Sequence, residues 1–361
     1  MKKCIIVIFL FFSFSSILAQ KNVNQSYKIL GEVLGTYNNE DSIFLFEGQI
    51  NEKYFRKRRL SASLKGEKYE LSFKFDEPMM YRFILLSDTG RLIWRAGRYF
   101  IDNTTTSISS NLKNNECNSI TGITAKEYKE VFIPFITKQQ KNYNCEGRVM
   151  ENLEEGNDLN FDTLLYSYVK THPSSYVALW QLINRFNRHG HSVLRNQILN
   201  SFTQKIKSRY LWNTLNKDFN DILIKEKSPF PIINLKDTNY KIQSLKIPKN
   251  EYTLIDFWFS RCKPCLESFP SLKKVYGLYN KSGFNIISIS TDKTKEVVLW
   301  EKRIKDFDLS WDNYLDENGI QSKKLLIDYF PTNFLLDSRG RVIQKNISIE
   351  DLNTFLIKNL H

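Results

Sequence analysis

The sequence is poor in the residues that build metal centres. It contains five cysteines and four histidines in 361 residues. Only one Cys-X-X-Cys pair occurs, formed by Cys262 and Cys265, whereas a structural zinc site normally takes four ligands in two closely spaced pairs. The nearest histidine pair, His189 and His191, falls in a segment with a helical pattern. We therefore expect no metal and no other cofactor.

Long hydrophobic runs are missing as well. The apolar stretch at positions 5–18 is shorter than the roughly 18–20 residues that cross a bilayer. Lys2 and Lys3 precede it and the small Ala19 follows it, a pattern typical of a cleaved signal peptide over residues 1–19. We expect export to the periplasm or cell envelope, with an uncleaved anchor as the alternative.

Acidic residues are too few to balance the basic ones, and the formal net charge is +13. A chain with this excess of positive charge can bind nucleic acid or an anionic membrane surface. The lysines are scattered, however, and no zinc-finger or aromatic RNA-reading motif appears. We interpret the one dense basic run, Lys53–Leu60, as a solvated loop or hairpin face. We expect no nucleic-acid partner, while association with a membrane surface stays open.

The chain has no convincing internal repeat and no low-complexity tract, and its length suggests two or three domains. Hydrophobic residues make up 42% and aromatic residues 14%, enough for packed cores. Residues 27–112 alternate polar and apolar positions between turn residues, as in the run from Tyr69 to Phe73. This period of two predicts a small antiparallel β-sandwich or barrel.

Residues 124–227 change to helical spacing, which predicts a module of several helices. His172 and Pro173 end one helix, and Ser174 or Ser175 caps the next. After Pro229 and Pro231, residues 228–361 alternate strand and helix and close with a hairpin and a helix. That order predicts an α/β layer structure.

The Cys-X-X-Cys pair follows a buried strand and opens a helix. Free N–H groups and partial positive charge at a helix start stabilise a thiolate, and Arg261 and Lys263 act in the same direction. Pro264 suits the first helical turn. Cys262 is therefore the predicted attacking thiol, and Cys265, one turn further and less exposed, is the predicted resolving thiol.

Other uses of the cysteine pair are weaker. A haem attachment needs a histidine at position 266, which is leucine. A zinc site lacks further ligands, and a purely structural disulfide remains an alternative to redox chemistry. Asp256, within the apolar strand, is either a satisfied core acid or a proton acceptor for Cys265; burial would raise its pKa and favour the second role.

The segment "DFWFSRCKPCLESFP" resembles the active-site region of thioredoxin-fold proteins, especially exported TlpA/ResA-like thiol–disulfide oxidoreductases. The resemblance covers about Pro229 to His361. It implies a buried proton-accepting acid at Asp256 and a strand-end tryptophan at Trp258. "YFPTNFLLD" implies a cis-proline at Pro331 that packs against the cysteine pair.

Some positions depart from the family pattern. Arg261 replaces the usual tryptophan, and Phe330 before the proline is bulkier than the usual residue, which predicts a narrower substrate groove. The family often has an acid at the place of Ser268, whereas here the acid is Glu267, so Glu267 is not given that role. The upstream β segment resembles a small domain of unknown function that precedes such redoxins, and implies partner or substrate recruitment.

The resemblance implies a protein-disulfide oxidoreductase that acts on exported proteins carrying disulfides and is recharged by an unidentified redox partner. The alternative is a partner- or ligand-binding envelope protein whose redoxin domain is a relict. Cys117 and Cys145 form either a structural disulfide or a pair of free buried thiols, and the sequence leaves both readings open. The expected fold class is multidomain, with an all-β domain and a helical segment before a C-terminal thioredoxin-like domain.

Overall fold

The computed structural model describes residues 27–35, 41–48, 50–56, 60–74, 76–112, 119–137 and 159–360. The predicted signal peptide and both Cys117 and Cys145 lie outside these residues, so their predictions stay untested. Within the described ranges, no helix is both long enough and apolar enough to span a membrane.

The N-terminal part is all-β, as the period of two predicted. Its strands form two four-stranded sheets with the orders β4-β1-β7-β8 and β3-β2-β5-β6. Most pairs are antiparallel, but β1 and β7 run parallel. The strands are β1 Tyr27–Leu34, β2 Ser42–Phe46, β3 Leu60–Ser63, β4 Lys68–Phe73, β5 Met79–Leu86, β6 Leu92–Ile101, β7 Ser107–Asn111 and β8 Ser119–Ile120.

A helical module follows, and Ser175 caps one of its helices by accepting a hydrogen bond from the backbone N–H of Ala178 at 3.0 Å. A π-helical stretch, Tyr128–Phe132, links the first two helices. The α-helices are α1 Ile123–Glu127, α2 Ile133–Thr137, α3 Leu159–Thr171, α4 Tyr176–His189, α5 Val193–Asn200, α6 Gln204–Lys207 and α7 Tyr210–Asp221. The helical pattern that continues past Leu194 is thus divided into two helices.

The β-sheets and the helical module share one hydrophobic core. A single cluster of buried side chains runs from Ile29 in β1 to Ile222 after α7. Phe55 illustrates the joint packing, since its ring lies 5.0 Å from Tyr81 of β5 and 5.1 Å from Trp180 of α4. The two upstream segments therefore pack as one body.

The basic run was interpreted wrongly at its start. Tyr54 and Phe55 are fully buried in the shared core. Lys53 pairs with Asp218 of α7 at 2.6 Å, and Arg56 pairs with Asp76 at 2.6 Å. Residues 57–59 lie outside the described ranges. The cause is tertiary, because aromatic residues between the charges supply core packing that a charge count does not reveal.

The C-terminal part has the predicted α/β architecture. Its seven strands have the order β10-β9-β13-β12-β11-β14-β15. The central strands β11, β12 and β13 are parallel, and β14 and β15 add an antiparallel hairpin. The strands are β9 Asn234–Lys236, β10 Ile242–Ser244, β11 Tyr252–Trp258, β12 Phe284–Ser290, β13 Asp312–Leu315, β14 Thr332–Asp337 and β15 Val342–Lys345.

Helices cover the sheet, and two apolar clusters lie on its opposite faces. The cluster on one side includes Leu254, Cys265 and Phe269, whereas Ile255 and Phe257 belong to the other. This division follows from the alternation of side chains along β11. The helices are α8 Lys263–Tyr279, α9 Val297–Asp306, α10 Ile320–Lys324 and α11 Ile349–Asn359. The sequence did not predict β9, β10, β13 or α10, which are short.

Candidate active site

The cysteine pair lies where β11 gives way to α8. Cys262 is the N-cap of this helix, and its Sγ accepts a hydrogen bond from the backbone N–H of Cys265 at 3.3 Å. Pro264 occupies the first helical turn, where its missing N–H leaves no helical bond unmade. The two sulfurs form a disulfide, and the Cα atoms are 5.2 Å apart. The Cys262 sulfur thus lies at the positive end of a 17-residue helix.

The disulfide is almost entirely buried. Cys262 is 3% exposed and Cys265 is fully buried. The difference has the predicted direction, with the second cysteine further inside. Of the two sulfur-bearing side chains, that of Cys262 is therefore the more accessible one.

Asp256 lies on the face of β11 that carries the cysteine side of the core. It shares this face with Leu254 and Trp258, and both belong to the cluster that contains Cys265. Asp256 is 3% exposed, and its Oδ2 has no hydrogen-bond partner among the described residues. Burial raises the pKa of Asp256 from its ordinary value to about 7. A carboxyl group with this pKa exchanges protons readily at neutral pH.

The cis-proline segment faces the end of β11. The antiparallel register pairs Phe257 with Thr332, so its continuation brings Pro331 opposite Trp258 and Phe330 opposite Phe259. The Phe330–Pro331 peptide bond is cis. The rings of Phe259 and Phe330 meet edge to face with centroids 5.5 Å apart. Two aromatic rings therefore lie beside the end of β11, and Phe259 comes three positions before Cys262.

Trp258 is fully buried and packs edge to face on Phe269 of α8, with ring centroids 5.0 Å apart. It fixes the strand end against the active-site helix.

Arg261 and Lys263 lie beside the cysteine pair but are well solvated. The Arg261 side chain is 66% exposed and pairs with Glu296 at 2.8 Å. Lys263 is 86% exposed and pairs with Glu267 at 3.7 Å. Exposed and partly neutralised charges act weakly on a neighbouring thiol. The helix start is therefore the stronger stabiliser of a Cys262 thiolate.

Sequence reasoning missed a buried carboxylate that holds the active-site loop. Asp292 accepts hydrogen bonds from the backbone N–H of Ser260 at 2.9 Å and from its hydroxyl at 2.6 Å. The hydroxyl of Ser290 donates to the same carboxylate at 2.6 Å. Ser260 comes two residues before Cys262, so Asp292 fixes the loop that presents the sulfur. The available signal was an acid directly after the strand "GFNIISIST".

The helical module contacts the segment that contains the cis-proline, although it belongs to the upstream part of the chain. The Tyr329 hydroxyl lies within hydrogen-bond distance of the carbonyl oxygens of Asn187, at 2.8 Å, and Arg188 near the end of α4. Asn346 Nδ2 donates to the same hydroxyl at 2.9 Å. Tyr329 directly precedes the Phe330–Pro331 bond, so the upstream body contacts the rim of the candidate active site.

We expect Tyr329→Phe to lower the free energy of unfolding by about 0.5–1.5 kcal/mol, because it removes a hydrogen bond to a partly buried carbonyl of the helical module. Urea unfolding followed by fluorescence measures the change. Tyr240→Phe is the matched control, since Tyr240 is 44% exposed and should change stability little. Equal stability of the two variants would contradict a role of Tyr329 in the domain contact.

Within the described residues, no group of three or more His, Cys, Asp or Glu side chains is arranged to hold a metal ion.

Comparison with known proteins matches the C-terminal part. The Thioredoxin-like family matches residues 250–342. Thiol-disulfide oxidoreductase ResA of Bacillus thuringiensis subsp. konkukian is 29% identical over 121 residues, which cover 34% of this chain and 67% of the relative. Thioredoxin-like protein YneN of Bacillus subtilis is 28% identical over 138 residues, covering 37% of this chain and 76% of YneN.

Among solved structures, a thiol-disulfide oxidoreductase from Bacteroides fragilis is 32% identical and has a TM-score of 0.33. The match covers 37% of this chain and 100% of that structure.

Proposed function

Because the C-terminal part of this chain is a TlpA/ResA-like thioredoxin-fold domain, we propose that the protein is an exported thiol–disulfide oxidoreductase that acts on protein disulfides. Cys262 attacks, Cys265 resolves, Asp256 accepts the proton and Pro331 shapes the substrate groove. The substrates are exported proteins with disulfides, and a separate dithiol partner returns the centre to its reduced form.

The reaction begins with the reduced pair. The Cys262 thiolate attacks one sulfur of a substrate disulfide, the substrate S–S bond breaks, and a mixed disulfide forms while the leaving thiolate takes a proton from solvent. Asp256 then accepts the Cys265 proton. The Cys265 thiolate attacks Cys262 Sγ and releases the second substrate thiol. Two electrons have passed to the substrate, and the enzyme ends in the disulfide form that the structure contains.

One observation carries this proposal: Cys262 Sγ sits at the N-cap of α8, 3.3 Å from a backbone N–H, and is bonded to a deeper cysteine. A purely structural disulfide needs neither a helix start nor a buried carboxyl group on the same side of the sheet whose Oδ2, as in Asp256, has no hydrogen-bond partner among the described residues. The helix end stabilises a thiolate by about 0.3–1 kcal/mol, up to ~2 when partly buried. This stabilisation favours the reduced form.

Reduction of insulin by the full chain, with dithiothreitol as the electron source, tests the proposal. We expect precipitation of the insulin B chain to accelerate over dithiothreitol alone. A rate equal to that of dithiothreitol alone would instead favour the ligand- or partner-binding alternative, in which the redoxin domain is a relict.

We expect Phe330→Thr to speed the reduction of protein disulfides by about tenfold, which corresponds to relief of about 1.4 kcal/mol of steric hindrance in the transition state. The Phe330 ring restricts the approach beside Phe259, and a large substrate needs this space most. The measurement compares kcat/KM for insulin and for oxidised glutathione. A similar change for both substrates would contradict a steric role.

A further inference from the structure

A cavity of about 310 Å³ lies between the helical module and the β14–β15 hairpin, away from the residues of the candidate active site. Its size reaches the range of small-molecule sites, which are commonest at domain junctions. One wall is apolar and consists of Ile224, Phe334, Val342, Ile343 and Phe355.

The polar part of the cavity wall contains unsatisfied groups. His189 lines the cavity and is 4% exposed, yet neither of its ring nitrogens has a hydrogen-bond partner among the described residues. His191, beside it, leaves its buried Nδ1 without a partner. Buried polar atoms in native proteins are nearly always paired, and a bound molecule or water is a common explanation for an exception.

Most charges at the cavity already have partners. Arg195 pairs with the buried Asp162 at 2.9 Å and donates to the carbonyl oxygens of His189 and Gly190. Glu226 accepts a hydrogen bond from the first backbone N–H of α5 at 2.8 Å.

Lys345 is the exception among these charges. Its Nζ lies 5.3 Å from the ring centre of Tyr329 and 6.0 Å from that of Phe334. The described residues offer it no hydrogen bond or ion pair, and the Asp328 carboxylate acts on its charge only through space. Burial lowers the pKa of Lys345 to about 8, so the amine remains mainly protonated at pH 7. An ammonium group with little access to water is most stable when it is paired with an anion.

We propose that this cavity binds a small apolar monocarboxylic acid, with the hydrocarbon part against the apolar wall and the carboxylate on Lys345. Among the described residues that line the cavity, Lys345 is the one cation without a hydrogen bond or ion pair, so we expect a ligand with one negative charge. The neutral ring of His189 supplies a further N–H to the carboxylate. The site is separate from the cysteine chemistry and does not depend on the proposed redox function.

Calorimetric titration of the full chain with decanoate and with decanol, at pH 7 and below their micelle or solubility limits, tests the proposal. We expect decanoate to bind about tenfold more tightly than decanol, because a charge-assisted bond is lost with the alcohol. Equal binding of the two, or no binding of decanoate, would overturn the proposal.

Lys345→Met keeps the apolar stem and removes the charge, so we expect it to remove the preference for decanoate. Lys345→Arg should keep the preference, and Lys358→Met, at an exposed position on α11, is the control. If Lys345→Met fails to fold, the preference for decanoate over decanol in the wild type and in Lys345→Arg still tests the proposal. Unchanged selectivity in a folded Lys345→Met would refute the assignment of Lys345.

Discussion

Cys262→Ser should reduce the rate of insulin reduction to that of dithiothreitol alone, because removal of a covalent nucleophile costs on the order of 10⁶-fold in kcat. A serine hydroxyl does not ionise near neutral pH, and its oxygen cannot form the mixed disulfide. Cys265 cannot substitute for Cys262, because it is fully buried and lies three positions after the N-cap. The insulin assay measures the loss directly.

The matched variant is Cys265→Ser. It keeps the attacking thiol and removes the resolving one, so we expect it to accumulate a mixed disulfide with insulin. Intact-mass measurement of the trapped species identifies the bonded cysteine. If Cys262→Ser formed the mixed disulfide instead, the assignment of attacking and resolving thiols would be reversed.

Asp256→Asn should change the pH dependence of stability by up to about 4 kcal/mol between pH 4 and pH 8. The pKa of Asp256 is about 7 in the folded protein and near 4 in the unfolded chain. Between these values the folded state binds more protons. The contribution of Asp256 to the free energy of unfolding is therefore greatest below pH 4 and decreases as the pH rises to 7. Asparagine does not titrate, so the variant lacks this decrease.

The measurement is urea unfolding of the oxidised protein, in which the cysteines do not titrate. The quantity compared is the free energy of unfolding of Asp256→Asn minus that of the wild type. We expect this difference to be larger at pH 8 than at pH 4. Asp308→Asn is the control, since the Asp308 side chain is 82% exposed. A wild-type to Asp256→Asn difference that is constant with pH would show that the pKa of Asp256 is the same in the folded and the unfolded protein, and would contradict the raised value.

The same variant tests the proton role. Without an acceptor, deprotonation of Cys265 should slow by about 10²-fold, a typical contribution of general base catalysis. The mixed disulfide would then persist in Asp256→Asn, as in Cys265→Ser but with slow turnover. Normal resolution in this variant would leave Asp256 a structural acid.

The sequence by itself determined the local features of this protein. The alternation in Tyr69–Phe73 and the helical spacing in Leu179–Phe186 each specify an element because side-chain period follows from backbone geometry. The two cysteines and Pro264 define a strand-to-helix junction within a few residues. Ser175 could be named as a cap for the same reason, since its partner is three residues away.

Only the tertiary structure decided what depends on distant residues. The contact of Tyr329 with α4 joins groups more than 140 positions apart, and the carboxylate of Asp292 reaches back to Ser260. The burial of Tyr54 and Phe55 contradicted a reading based on charge. Lys345 looks like any strand lysine until the fold puts it between two domains, because its environment comes from surfaces that meet only after folding.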